Sequence, residues 1–336
     1  MARVKHNLPE GGSVTTVIGM LGAAGIAPAA LLRPVLRRDD VVVAAVASRR
    51  GARRYADRFG IERAYDSYEE LLADQDLDLV YNALPPSLHA RWSIAAMEAG
   101  KHVLCEKPFT MNAAEAERVI EAAERSGRRA IEAFHDHYHP LSGWVRRFLA
   151  EGGLGTPRRA EAVFTGATPF DSASIRHDPA LGGGALMDLG CYPIHWLRAA
   201  LGAEPEVRWA QARLNPLGAD VEIEADLEFP GGVAARVSAS MAEGVALSST
   251  LTVEGQRGVL HVDNLVFPSQ GHSIETDIDG VPRRRTVAGE ETYDHQLAAV
   301  VEALASGGPL PTEGRDTVGN MRVIDAIYAA AGVPGR

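Results

Sequence analysis

Val14-Thr-Thr-Val-Ile-Gly-Met-Leu-Gly-Ala-Ala-Gly-Ile-Ala27 begins with β-branched residues, closes its apolar run in Gly-x-x-Gly and leads into an apolar helical pattern. It reads as strand, glycine turn, helix, the opening of a dinucleotide-binding βαβ unit. The usual fingerprint at such a turn is Gly-x-Gly-x-x-Gly or Ala. The best register here is Gly22-x-Ala24-x-x-Ala27. Ala24 replaces the glycine that lets backbone approach a pyrophosphate, so more of the binding would fall to the helix N-terminus. Gly22, Ala23, Ala24, Gly25 and Ile26 are the expected dinucleotide contacts, although small residues also build plain tight turns. Pro34 predicts a kink in the helix that follows.

The run from Asp40 to Ala47 is continuously apolar, as a parallel strand covered on both faces requires. An NAD site would place an acid after it, on the ribose 2′-hydroxyl. This chain has Ser48-Arg49-Arg50 instead, with Arg53 and Arg54 one turn on. Arginine forms forked, charge-assisted pairs with a 2′-phosphate, so NADP(H) is preferred and NAD(H) is possible. The other reading is a solvated basic helix start. Ser67-Tyr68-Glu69-Glu70 is a capping box opening a short helix. A strand from Leu77 to Leu84 ends in Pro85-Pro86-Ser87-Leu88-His89, and a helix runs on to a stop at Gly100. The next strand, Lys101 to Cys105, delivers Glu106-Lys107-Pro108 to the carboxyl edge of the sheet, where ligands bind in open α/β folds. A second box, Asn112-x-x-Glu115, starts another helix, and Arg129 to Phe134 is one more strand. Strands alternating with helices mean a doubly wound parallel sheet, so the fold class is α/β.

After Phe134 the pattern changes. Val221, Ile223, Ala225, Leu227 and Phe229 alternate with Glu222, Glu224, Asp226 and Glu228, and Pro230-Gly231-Gly232 turns the chain into a second alternating run. That is a hairpin of an antiparallel sheet with one covered face. Two helices, Thr292 to Ala305 and Arg315 to Ala331, finish the chain. The expected organisation is a flexible arm over residues 1–13, a Rossmann domain over 14–134, and an α+β domain with an open, mainly antiparallel sheet over 135–336.

The 336 residues, 46% hydrophobic and 23% charged, suffice for two real cores. A formal net charge of -10 argues against nucleic acid or an anionic membrane as the main partner. The opening residues lack the apolar core of a signal peptide, and no apolar run approaches the ~20 residues that span a bilayer. Cys105 and Cys191 form no disulfide framework or metal cluster. A cytoplasmic protein without a metal is expected.

The run Gly182-Gly-Gly-Ala-Leu-Met-Asp-Leu-Gly-Cys-Tyr-Pro-Ile-His-Trp196 places Asp188, Tyr192 and His195 on one face if a helix begins near Asp188. The same residues also suit a helix cap, a core aromatic and a buried histidine. The triple glycine favours function, because it lets backbone approach a ligand closely.

With these segments in hand, the chain resembles the glucose-fructose oxidoreductase / inositol dehydrogenase / MocA (Gfo/Idh/MocA) family. The carrying residues are Gly19 to Ala27, Ala83 to His89, Cys105 to Pro108, Glu132 to Phe134 with His139-Pro140, Ile175-Arg176, and Gly182 to Tyr192. The resemblance implies a Rossmann domain, a second domain whose open sheet often forms the oligomer contact, and nicotinamide-dependent redox chemistry on sugars, polyols or cyclic diols. It implies a catalytic Lys107, a tyrosine at Tyr192 as proton carrier, a site aspartate at Asp188, and a less certain role for His195. Leu84, Pro85, His89, Glu106 and Arg176 join the expected cofactor or substrate contacts. Pro86 stands where many relatives have Asn, removing one hydrogen bond near the cofactor. A homodimer or homotetramer is implied. Reduction of a nucleotide-linked keto-sugar is a close variant of the same chemistry. The rival from another class is a redox-inactive dinucleotide sensor of the same fold, which would need neither Lys107 nor Tyr192.

Overall fold

The computed structural model describes residues 15–334; the expected arm of residues 1–13 lies outside them. The chain divides into two compact units. The first comprises the chain through Thr110, Ala114–Ala133 and Tyr293–Asp316; the second comprises Met111–Ala113, Phe134–Thr292 and the chain from Thr317 on.

In the first unit, strands β1 (Thr16–Leu21), β2 (Val41–Ala47), β3 (Arg63–Tyr65), β4 (Leu79–Asn82), β5 (His102–Cys105) and β6 (Ala130–Glu132) pair in the order β3-β2-β1-β4-β5-β6. Every pairing is parallel. This is the doubly wound sheet that the alternation of elements predicts, with the order reversing beside β1, where such sheets bind ligands. Ile18, Met20, Val43, Val46, Leu79, Tyr81 and Leu104 fill its core. Between β1 and β2 the chain makes a π-helical turn, Pro28–Leu32, that runs into the short helix α1 (Arg33–Val35). Pro34 lies at the start of α1, so the expected kink takes the form of a short, irregular helix. Helices α2 (Ala52–Phe59), α3 (Tyr68–Ala73), α4 (Pro86–Glu98) and α5 (Ala113–Ser126) complete the crossovers. Ser67 caps α3 as its capping box predicts, accepting a hydrogen bond from Glu70 N at 3.1 Å. Pro86 is the first residue of α4. A proline costs nothing there, because the first-turn amide lacks an intrahelical partner anyway.

The second unit contains α6 (Pro140–Ala150), β7 (Pro157–Thr165), α7 (Cys191–Leu201) and seven further strands. These are β8 (Glu206–Leu214), β9 (Asp220–Phe229), β10 (Val233–Ser240), β11 (Ser248–Gly255), β12 (Gly258–Asp263), β13 (Ser273–Ile278) and β14 (Val281–Arg285). Their order is β14-β13-β12-β11-β7-β10-β9-β8. The sheet is antiparallel except for β7 beside β10. In β9 the predicted apolar set, from Val221 to Phe229, is buried at 8% exposure or less. Gly231 and Gly232 turn the β9–β10 hairpin at φ 85° and 77°, a region closed to most side chains. On the opposite face Arg236 forks onto Asp226 at 2.8 and 3.1 Å, in register across β9 and β10.

Helix α8 (Thr292–Ser306) and the segment after it, expected in the second domain, pack almost wholly with the first unit. Leu297, Val300 and Val301 enter the core of the parallel sheet. Arg129 clamps the segment by a fork onto Glu313 at 2.9 and 2.7 Å and a bond to Ala303 O at 2.8 Å. From Thr317 on, α9 (Arg315–Ala330) belongs to the second unit.

Candidate active site

In the first unit, the dinucleotide elements expected from the sequence gather at the carboxyl edge of the sheet. Gly22 follows β1 at φ 96°, and a Cβ there would lie 3.2 Å from Ala83 O, so the turn is closed to other residues. Ala27, at the third fingerprint position, is fully buried and takes the close-packing role of a glycine. Ala23 and Ala24 are half-buried, and Gly25 and Ile26 are exposed. At the end of β2, Ser48 donates its hydroxyl to Arg50 O at 3.0 Å, shaping a turn on which Arg49 and Arg50 are exposed. Arg53 lies along α2 in an exposed pair with Asp57, its Nε at 2.9 Å. An accessible turn after β1 and exposed guanidiniums after β2 fit a dinucleotide with an anionic 2′ group.

Lys107 follows β5, half-buried, with a cis bond to Pro108. Beside it the buried Glu106 accepts a hydrogen bond from Tyr81 at 2.6 Å. His89 is 1% exposed, and its two ring nitrogens face Leu84 O at 2.7 Å and Pro108 O at 2.9 Å. Burial pulls its pKa down while the backbone carbonyls oppose that shift. The expected cofactor contact of His89 would therefore be indirect: the ring ties the turn that carries Leu84 and Pro85 to the one that carries Lys107.

In the second unit, a π-helical turn, Leu186–Gly190, precedes α7, so Asp188 sits on wider backbone than Tyr192 and His195 do. Asp220, which sequence reasoning missed, holds the start of that turn: its carboxylate accepts from Leu186 N at 2.7 Å and from Tyr328 Oη at 2.8 Å. Asp188 pairs with Arg176 at 3.0 Å. The triple glycine makes this pairing possible. A Cβ on Gly183 would lie 2.4 Å from Ile175 O, so the chain passes directly against the main chain of Ile175 and Arg176. The close approach expected toward a ligand is thus made toward protein backbone. Gly183→Ala should cost about 1–3 kcal/mol, as overpacking of a rigid contact does. Urea unfolding would read that loss, and an unchanged midpoint would contradict the contact's rigidity.

Tyr192 is 3% exposed, set edge-on to Phe134 and Phe164, each with ring centroids 5.4 Å away. Its hydroxyl lies 3.1 Å from His135 Nε2, and His135 Nδ1 lies 2.7 Å from Thr292 Oγ1. His195 stacks on Phe134 at 4.2 Å and bonds through Nε2 to His137 Nδ1 at 2.7 Å. Burial holds the imidazoles of this pair in the neutral form. Asp136 Oδ2 accepts from Trp196 Nε1 at 2.6 Å, and burial raises its pKa to about 6. His135 and Thr292 also escaped sequence reading. The available signal was three histidines at alternate positions, 135, 137 and 139, in a turn that is buried.

A glycine turn at the carboxyl edge of a parallel sheet is a feature of nicotinamide-dependent oxidoreductases, and in the second unit a buried phenol lies within hydrogen-bond reach of an imidazole. The profile of an oxidoreductase family with an NAD-binding Rossmann fold, GFO_IDH_MocA, matches residues 16–134. The GFO/IDH/MocA C-terminal domain matches residues 144–261. The chain is 35% identical over 318 residues to a D-xylose 1-dehydrogenase (NADP(+)) of Haloferax volcanii, covering 94% of this chain and 97% of that one. It is 36% identical over 326 residues to a dTDP-3,4-didehydro-2,6-dideoxy-α-D-glucose 3-reductase of Streptomyces antibioticus, with coverage of 94% and 97%. A 3-ketoreductase from Actinomadura kijaniata, solved with NADP and TDP-benzene, superimposes with a TM-score of 0.86 at 30% identity, covering 94% of this chain and 98% of that one. The chain belongs to the GFO/IDH/MocA oxidoreductase family.

Proposed function

We propose that this protein is an NADP(H)-dependent oxidoreductase that interconverts a carbinol and a ketone carbon of a sugar, polyol or cyclic diol, with Tyr192 as proton carrier and Lys107 assisting it. The observation that carries the reading is the phenol of Tyr192, buried among aromatic rings with its hydroxyl 3.1 Å from His135 Nε2. When bound, the nicotinamide supplies the hydride acceptor or donor. Gly22 to Ile26 would hold the pyrophosphate, and Ser48, Arg49, Arg50 and Arg53 the 2′-phosphate, Arg53 by leaving Asp57. The ammonium of Lys107 favours the phenolate of Tyr192 and polarises the substrate oxygen. Asp188, steadied by Arg176, orients substrate hydroxyls, and His195 is kept for the packing of α7.

The second reading is reduction of a nucleotide-linked keto-sugar, favoured by the 36% identity to the Streptomyces antibioticus 3-reductase. A substrate panel separates the two. D-xylose, D-glucose, myo-inositol and trans-1,2-dihydrobenzene-1,2-diol with NADP+ test the first, and a dTDP-linked 3-keto-sugar with NADPH tests the second. Turnover confined to the nucleotide sugar would overturn the first reading.

NADP+ should bind at least ~10-fold tighter than NAD+, about 1.4 kcal/mol. Arg49→Ala should erase most of that difference. Equal affinities in the unmodified protein, read by fluorescence titration, would refute the roles given to Ser48 and the arginines. The charged face of the second sheet, with Arg236 paired to Asp226, is proposed as a subunit contact of a cytoplasmic homodimer or homotetramer. A monomeric mass by light scattering at micromolar concentration would contradict it.

A further inference from the structure

We propose that His135 is the proton partner of Tyr192, a positioning residue whose Nε2 takes up the phenol proton as substrate is oxidised and returns it as substrate is reduced. The proposal rests on the reading of Tyr192 as proton carrier. Three observations within the second unit support it. The Tyr192 hydroxyl and His135 Nε2 are 3.1 Å apart, within reach of direct transfer. Both residues are nearly sealed, at 3% and 2% exposure, so bulk water is a poor recipient for the phenol proton. The far nitrogen of the same ring, Nδ1, lies 2.7 Å from Thr292 Oγ1.

The Thr292 hydroxyl can accept from that nitrogen or donate to it, and the proposal assigns the Nδ1–H tautomer. A neutral imidazole has one N–H and one lone pair. With Nδ1–H donated to Thr292 Oγ1, the lone pair is on Nε2 and receives the Tyr192 O–H. A proton carrier, a base bonded to it and a third group orienting the base form the arrangement by which buried hydroxyls are activated. The neighbouring histidine pair is built differently: His195 Nε2 is engaged by His137. The oxidative step then balances. The substrate O–H bond breaks and its proton passes to Tyr192 Oη. The phenol proton passes to His135 Nε2, which becomes an imidazolium. The electron pair of the carbinol C–H bond leaves as hydride to NADP+.

Two variants and one spectrum test this. His135→Gln keeps a side chain able to hydrogen-bond the phenol but unable to take its proton. Its kcat on the best alcohol of the panel should fall ~10²-fold, with KM and NADP+ affinity unchanged. Thr292→Val should lower kcat in the same direction. In substrate-free protein labelled with 15N-histidine, the His135 resonances should show a protonated Nδ1 and an unprotonated Nε2, and Thr292→Val should shift the proton toward Nε2. A His135→Gln enzyme with wild-type kcat, or a wild-type His135 protonated at Nε2, overturns the proposal. If Tyr192→Phe is inactive while His135→Gln is active, the relay alone falls. If Tyr192→Phe retains wild-type turnover, the reading of Tyr192 falls and the relay with it. Should His135→Gln fail to fold, the wild-type and Thr292→Val spectra still decide.

Discussion

Tyr192→Phe is expected to lose turnover by ~10²-fold or more, the scale of general acid-base catalysis, while NADP+ affinity holds. The substitution removes one oxygen and leaves the ring among Phe134, Phe164 and Trp196, so packing changes little. A loss of that size is about 2.7 kcal/mol of transition-state stabilisation, beyond what one hydrogen bond between neutral groups contributes. Lys107→Met should be as damaging. The double variant should cost much less than the sum of the two penalties, because groups that act as one unit fail together. Fully additive penalties would mean that lysine and tyrosine act on separate steps. A Tyr192→Phe enzyme with wild-type turnover, under conditions where chemistry limits the rate, would transfer the proton role to Asp188 or His195.

The second large effect is a pH dependence of stability that has its source in the turn beside Tyr192. His137 and His195 share one hydrogen bond, and burial depresses both folded-state pKa values below the ordinary 6.5. Below pH 6.5 the unfolded chain binds protons that the folded chain refuses, so stability is lost as pH falls. Each histidine contributes up to about 1.4 kcal/mol per pH unit, and the pair about 2.7. Asp136 works in the opposite sense. Its pKa of about 6 exceeds the ordinary carboxyl value of 3.8, so between those values the folded state binds the extra proton and gains stability on acidification. One carboxyl offsets one imidazole, leaving a net loss of about 1.4 kcal/mol per unit between pH 6 and pH 4. His195→Asn should flatten that slope, and Asp136→Asn should steepen it by a similar amount. Urea unfolding at pH 7, 6 and 5 reads both. Identical slopes in all three proteins would contradict the burial assigned to these groups.

Local rules made much of the architecture legible in the sequence. Ser67, the β9 alternation from Val221 to Phe229 and the Gly231-Gly232 turn each follow from nearest-neighbour chemistry, and each stands in the structure as read. What failed to show was set by distant partners. Nothing near Leu297 says that its helix returns to the parallel sheet, because an apolar helix face suits either unit; Arg129 and Glu313, 184 residues apart, make that choice. Gly183 looked like a cradle for ligand because a glycine reports only that something comes close; here that partner is the backbone of Ile175. One helical face for Asp188, Tyr192 and His195 holds only in part: Tyr192 and His195 share Phe134 on α7, while Asp188 lies in the π turn before it and pairs with Arg176. His135 lay in a polar-looking run, and its meaning depends on Tyr192 and Thr292, 57 and 157 positions away.

Redox chemistry, and not dinucleotide binding alone, is expected of this fold. The most direct measurement mixes the protein, in molar excess, with NADP+ and each alcohol of the panel, and with NADPH and each ketone, and follows the reduced-nicotinamide absorbance through a single turnover. A cofactor-coupled absorbance change is expected with at least one substrate, slowed ~10²-fold in Tyr192→Phe. Tight dinucleotide binding with no absorbance change in either direction, for any alcohol or ketone, would contradict it and leave a redox-silent binding protein.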